Sequence, residues 1–296
     1  MACCDLVDHH TPMKTKLPLR CLFLLLAGAL LASDAEAQAT ARVDSFYMPS
    51  LGRTKQLSVI LPSRYTPTSK YPVLYLLHGY TGGHQDWITR TSILSYVREV
   101  RLIVILPDGE NSWYVNSASA VQDRFEDYLV RDIPTYVNKM YSIDTTRQGI
   151  AGLSMGGYGA VMLALRHPRQ FRFAASLSGA ITFPRGLNDT TRAPERALFP
   201  SLLRAFGEPS AHNRAAGDVF QLYRQISKDS LPYLYLVMGT QDGYRSFLPA
   251  HRAFTDLLRA YGAAYEYHET PGGHNWQYWD REIQPILRKM REVLKF

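Results

Sequence analysis

Eight short apolar stretches mark the chain from residue 43 onward, and segments of helical period separate most of them. The first two, residues 43–48 and 56–61, alternate apolar and polar positions, which predicts an antiparallel pair. The next six, at 73–77, 102–106, 149–153, 174–178, 234–238 and 264–268, predict buried strands. Amphipathic runs at 92–100, 124–140, 158–166, 249–261 and 282–294 predict helices between and after them. Strands that alternate with helices in this way define an α/β class: a mostly parallel central sheet, an antiparallel N-terminal pair, and helices on both faces. There is no internal repeat, low-complexity tract or interdomain linker, so residues 38–296 are expected to form one domain. Residues 181–231 break the rhythm, being rich in Pro, Arg, Asn and Asp. They read either as a lid or cap at the catalytic face or as an irregular surface crossover with short helices.

The first 37 residues belong to a different pattern. Lys14, Lys16 and Arg20 precede an uncharged apolar run over residues 22–32, and Ala35-Glu36-Ala37 or Ala37-Gln38-Ala39 follows as a small-residue cleavage site. These are the parts of a secretory signal peptide, with Met13 as an alternative start. Eleven apolar residues fall short of the ~20 that a membrane-spanning helix needs, so no stable membrane span is expected. All three cysteines (Cys3, Cys4, Cys21) lie in this leader, and a mature chain would hold none. The leader carries three Lys/Arg against four Asp/Glu, so its removal raises the formal charge from +7 to +8. The Lys and Arg are scattered, which argues for solubility and against nucleic-acid binding. The expected location is secreted or periplasmic.

Candidate chemistry centres on Gly152-Leu153-Ser154-Met155-Gly156, a G-x-S-x-G sequence between an apolar strand and a helical run. Glycine on either side lets the chain turn sharply and hold the serine at the apex. A serine hydroxyl needs a base, and the base needs an orienting acid. Pro271-Gly272-Gly273-His274 supplies a histidine between the last strand and the last helix. Asp242 follows the strand that ends in Val237-Met238-Gly239. The order Ser154, Asp242, His274 satisfies the nucleophile-acid-base sequence of this arrangement. Asp108 precedes the serine, Asp256 lies within a helix, and Glu269 shares a connection with His274, so each is a weaker acid candidate; His78, His84 and His268 read as structural or surface histidines. Backbone N–H donors for the developing oxyanion are expected from Met155 and from Tyr80 in the loop His78-Gly79-Tyr80-Thr81-Gly82-Gly83. No spacing of His, Asp or Glu suggests a metal, and no cofactor is implied.

These residues resemble the esterase D-type branch of the α/β-hydrolases, which includes S-formylglutathione hydrolases, feruloyl and acetyl esterases and mycolyltransferases. The resemblance rests on His78-Gly79-x-x-Gly82 with Trp87, on Pro107-Asp108-Gly109-Glu110-Asn111-Ser112-Trp113-Tyr114, on Gly152-to-Gly157 and on Gly273-His274-Asn275-Trp276. It implies an α/β-hydrolase fold, a Ser154/Asp242/His274 triad, and Trp113 and Trp276 near the substrate pocket. The substrate it implies is a small-molecule or carbohydrate-linked acyl ester. The export leader argues against a cytosolic thioester.

Overall fold

The computed structural model describes residues 39–185, 195–208 and 212–296. The expected leader at 1–37 lies outside the described residues, as do 186–194 and 209–211 of the irregular segment.

All eight expected strands form, and they share one sheet: β1 (Thr40–Met48), β2 (Arg53–Leu61), β3 (Tyr71–Leu77), β4 (Ile103–Pro107), β5 (Ile143–Leu153), β6 (Phe173–Leu177), β7 (Tyr233–Gly239) and β8 (Tyr265–Thr270). The order across the sheet is β1-β2-β4-β3-β5-β6-β7-β8. β2 runs antiparallel to both β1 and β4, and every other pairing is parallel. The chain steps from β3 outward to β4, then crosses back to place β5 on the other side of β3. The carboxyl ends of β3 and β5 therefore flank a switch in strand order, where open α/β sheets leave a crevice.

β3 shows why the sheet is buried on both sides. Tyr71, Val73, Tyr75 and Leu77 enter one apolar core, and Leu74 and Leu76 enter the other. The first core also takes helices α3 (Ile133–Met140), α4 (Met155–Arg166), α5 (Phe199–Phe206), α6 (Val219–Gln225) and α7 (Phe247–Tyr261). The opposite core takes α1 (Asp86–Arg90), α2 (Ile93–Val97) and α8 (Trp276–Leu294). The mostly parallel sheet with its antiparallel N-terminal pair is as the pattern predicts, and it is the α/β-hydrolase arrangement that the resemblance implied.

The boundaries differ where local chemistry overrides period. The helix expected at 92–100 is shortened to Ile93–Val97, and a separate short helix, Asp86–Arg90, precedes it and ends at Thr91, whose backbone is extended. The helix expected at 124–140 contains a wide five-residue turn, Tyr128–Asp132, just before Pro134. Proline lacks the N–H of an ordinary turn and crowds the preceding carbonyls, which a wider turn relieves. α8 begins six residues earlier than its apolar period, because the Asn275 side chain accepts the Tyr278 N–H and caps it. No helix among the described residues is long and apolar enough to cross a membrane.

Candidate active site

Ser154 joins β5 to α4 with φ 53° and ψ −117°, a conformation that side-chain-bearing residues avoid. Such a turn costs on the order of 1–3 kcal/mol. It persists because its backbone is fully engaged. Ser154 N–H donates to Leu177 O at 2.9 Å, and Ser154 O accepts from Tyr158 and Ala180, each at 3.0 Å. The flanking glycines are required by close approach. A Cβ on Gly152 would lie 2.5 Å from the Gly156 backbone, and one on Gly156 would lie 2.5 Å from His78 O. Those neighbours are main-chain atoms with little room to yield.

The acid and base arrive on two adjoining loops that are laced together. Thr240 N–H donates to Thr270 O at 3.0 Å, and Gln241 N–H donates to Gly272 O at 2.9 Å. Gly272 has φ 151°, and a Cβ there would run into the Tyr278 ring. The lacing brings Asp242 Oδ2 to 2.7 Å from His274 Nδ1 and His274 Nε2 to 3.0 Å from Ser154 Oγ. Asp242 is buried, with its side chain 1% exposed, so it is acceptor-ready but shielded from water. Its second oxygen accepts the Tyr244 N–H at 2.9 Å. With Nδ1–H directed at the carboxylate, Nε2 is left free to take the serine proton. The imidazole is packed by the Tyr244 ring at 4.6 Å and, edge to face, by Trp279 at 5.0 Å.

The glycine loop after β3 lies against this turn. An added Cβ on Gly79 would sit 3.6 Å from Ser154 Cβ. Tyr80 N–H makes no hydrogen bond to any described residue, and Met155, as the first residue of α4, has no acceptor within the helix. Both amides are therefore unspent among the described residues, one next to Ser154 in the chain and one from a residue on the same cavity wall. The loop is pinned from the β4 side, since Gly109 N–H donates to His78 Nε2 at 2.8 Å and Thr81 N–H to Asn111 Oδ1 at 2.7 Å. Burial pushes the His78 pKa down, which keeps the ring neutral.

Gly79, Tyr80, Ser154, Tyr244, His274 and Trp276 share the wall of one cavity of about 370 Å³. Trp276 is thus on the wall, as the resemblance implied. Trp113 is not. It is fully buried, packed against Tyr158, Phe183 and Phe206, and its Nε1–H donates to Ser201 Oγ at 3.0 Å. The position that the resemblance put near the pocket is a core position because Phe183, Ser201 and Phe206 of the irregular segment close over it. None of the described residues of 181–231 lines the cavity. The other acids are engaged elsewhere: Asp108 with Lys55 at 2.8 Å, Asp256 with Arg259 at 3.0 Å, and Glu269 with Arg252 at 2.6 Å. Burial raises the Asp108 pKa, but the Lys55 ammonium outweighs it and holds the carboxyl below its ordinary value. His84 bonds Ser58 and His268 bonds Glu266. Four wall residues had no motif to announce them: Tyr244, Trp279, Asp86 and Arg90. Among the described residues, no three His, Cys, Asp or Glu are grouped to hold a metal ion.

An α/β-hydrolase sheet with a serine at the β5 turn, hydrogen-bonded to a histidine that in turn meets an aspartate, has the architecture of a serine hydrolase. The chain matches the model of the Esterase family over residues 48–290 and belongs to that family. It is 27% identical to an acetyl esterase of Caldicellulosiruptor saccharolyticus over 263 residues, which are 84% of this chain and 97% of the relative. It is 23% identical to the diacylglycerol acyltransferase/mycolyltransferase Ag85A of Mycobacterium gordonae, covering 98% and 95% of the two chains. Among solved structures, the fluorophosphonate-binding serine hydrolase FphF of Staphylococcus aureus superposes with a TM-score of 0.73 at 27% identity, over 86% of this chain and 98% of that one. The chain is a carboxylic ester hydrolase.

Proposed function

We propose that the protein is an exported serine esterase that hydrolyses short- or medium-chain acyl esters through Ser154, His274 and Asp242. The observation that carries this reading is the continuous hydrogen-bond chain from Ser154 Oγ through the imidazole to Asp242 Oδ2. Ser154 Oγ attacks the ester carbonyl as its proton passes to His274 Nε2. The carbonyl oxygen becomes an oxyanion held by the Tyr80 and Met155 N–H groups, each such donor being worth ~3 kcal/mol. The alkoxide leaves with the proton from Nε2, and an acyl-serine remains. Water then gives a proton to Nε2, attacks the acyl carbon and releases the carboxylic acid, while the proton returns to Ser154. Asp242 holds the imidazole in the working tautomer and stabilises its charged form throughout.

The small cavity and the acetyl esterase relative support a small acyl group. The leader motif supports export, and a protein recovered from the periplasm or culture medium that begins near Gln38 would bear this out. A second reading, acyl transfer to a hydroxyl acceptor, has the acyltransferase relative in its favour and uses the same acyl-serine. The test is a series of p-nitrophenyl esters of graded chain length with native protein and Ser154→Ala. The expected result is a fall of ~10⁴-fold or more in turnover. Equal rates would overturn the serine mechanism. New esters formed on addition of alcohol or sugar acceptors would favour transfer.

A further inference from the structure

We propose that Arg90 makes the cleft select esters whose alcohol portion carries a carboxylate. The inference rests on the serine-esterase reading of Ser154 and His274 and adds the chemical class of the leaving group.

Arg90 is the last residue of α1 and lies on the wall of the same cavity as Ser154. Its guanidinium carbon stands 5.7 Å from the centroid of the Trp276 ring. That ring is itself held edge to face by Trp87 at 5.5 Å and Trp279 at 5.3 Å. The nearest acid, Asp86, places Oδ1 3.7 Å from Arg90 Nε, close enough for charge attraction but too far for a hydrogen bond. The other Asp86 oxygen accepts the Gly83 N–H. No hydrogen bond links the Arg90 side chain to any described residue, whereas Arg252 spends two donors on Glu269 and Arg204 spends two on Asp123. Arg90 is therefore a positioned cation whose N–H fork is unspent, and such a fork matches the two oxygens of a carboxylate.

Its side of the cleft determines which half of the ester it meets. The carbonyl oxygen is assigned to the Tyr80 and Met155 amides, and the departing oxygen must take its proton from His274 Nε2. Trp279 packs on His274, and Trp276 packs on Trp279, so the Trp276–Arg90 wall continues from the imidazole. The departing alcohol lies along that wall. Arg90 is 57% exposed and Asp86 offsets part of its charge, so the expected preference is modest and sensitive to salt.

The experiment compares 4-acetoxybenzoate with its methyl ester, whose leaving phenols differ in charge; their intrinsic difference in reactivity cancels when the same pair is compared in native and variant protein. The ratio of their kcat/KM values is measured in native protein, Arg90→Gln and Arg90→Lys, at low and high ionic strength. The expected result is a ratio that falls at least about fivefold in Arg90→Gln, falls less in Arg90→Lys, and loses its salt dependence with the charge. Calorimetric titration of 4-hydroxybenzoate into native and Arg90→Gln protein reads the same recognition without turnover, and weaker binding to the variant is expected. A ratio and an affinity unaltered in Arg90→Gln would overturn the proposal. Ser154→Ala, assayed alongside, separates the two readings, because hydrolysis that survives in it counts against the triad and not against Arg90.

Discussion

His78 Nδ1 lies 2.7 Å from the carbonyl oxygen of Gly79, the same peptide unit whose nitrogen is the Tyr80 N–H. Because His78 Nε2 accepts from Gly109, Nδ1 must carry the proton and donate to that carbonyl. The Gly82 N–H holds the same oxygen from another side at 3.1 Å. A planar trans peptide directs its N–H opposite to its C=O, so fixing the carbonyl aims the Tyr80 amide. In the proposed mechanism His78, which reads from sequence as a structural histidine, positions an oxyanion donor. His78→Ala is expected to lower kcat about ten- to hundredfold with little change in KM, less than the full loss of a donor. Steady-state kinetics on a p-nitrophenyl ester, with thermal unfolding as a folding control, checks this.

Strain at Ser154 predicts a separation of stability from activity. Glycine adopts its positive φ without the Cβ penalty, whereas alanine keeps that penalty. Both Ser154→Gly and Ser154→Ala are expected to lose turnover. The glycine variant should be more stable than the alanine variant by ~1 kcal/mol. Urea denaturation midpoints of the two variants give the comparison, and a less stable glycine variant would mean that the turn is not strained.

Asp242 and Asp108 both follow a strand end, yet only Asp242 touches the imidazole. Asp242→Asn is expected to reduce kcat by about 10³- to 10⁴-fold, because the amide favours the wrong histidine tautomer. Asp108→Asn weakens the contact with Lys55 and should cost less than about tenfold. Severe loss in Asp108→Asn alone would reverse the assignment of the acid.

Ser154, Asp242 and His274 were legible because each is announced locally, by glycines at a turn or by the end of an apolar strand. The strands were legible for the same reason, since burial on both faces leaves near-continuous apolar runs such as Tyr71–Leu77. The start of α4 was hidden because Gly156 and Gly157 are poor helix formers, kept there by close packing and not by propensity. Trp113, which the resemblance put near the pocket and which could equally serve packing, lies in the core for a different reason. Its surroundings come from Phe183, Ser201 and Phe206, far along the chain in a segment without a clear period. Arg90 and Asp86 carry no motif at all, and only the packing of α1 against Trp276 brings them to the cavity.

The buried His251 makes stability depend on pH. It lies in α7 with no exposed surface, its Nδ1–H donates to Phe247 O at 2.9 Å, and no hydrogen bond reaches Nε2 among the described residues. Burial pushes its pKa down to about 4, against ~6.5 in an unfolded chain. Between those values the unfolded chain binds a proton that the folded protein refuses, so stability falls as pH drops through this window. The expected loss between pH 7 and pH 5 is about 2 kcal/mol from this group. His78, also buried and also shifted down, acts in the same direction. Above pH 7 both rings are neutral in either state and contribute no slope. Urea midpoints at pH 7 and pH 5 for native protein and His251→Phe test this: the variant should lose markedly less stability on acidification, and equal losses would show that His251 titrates normally in the fold.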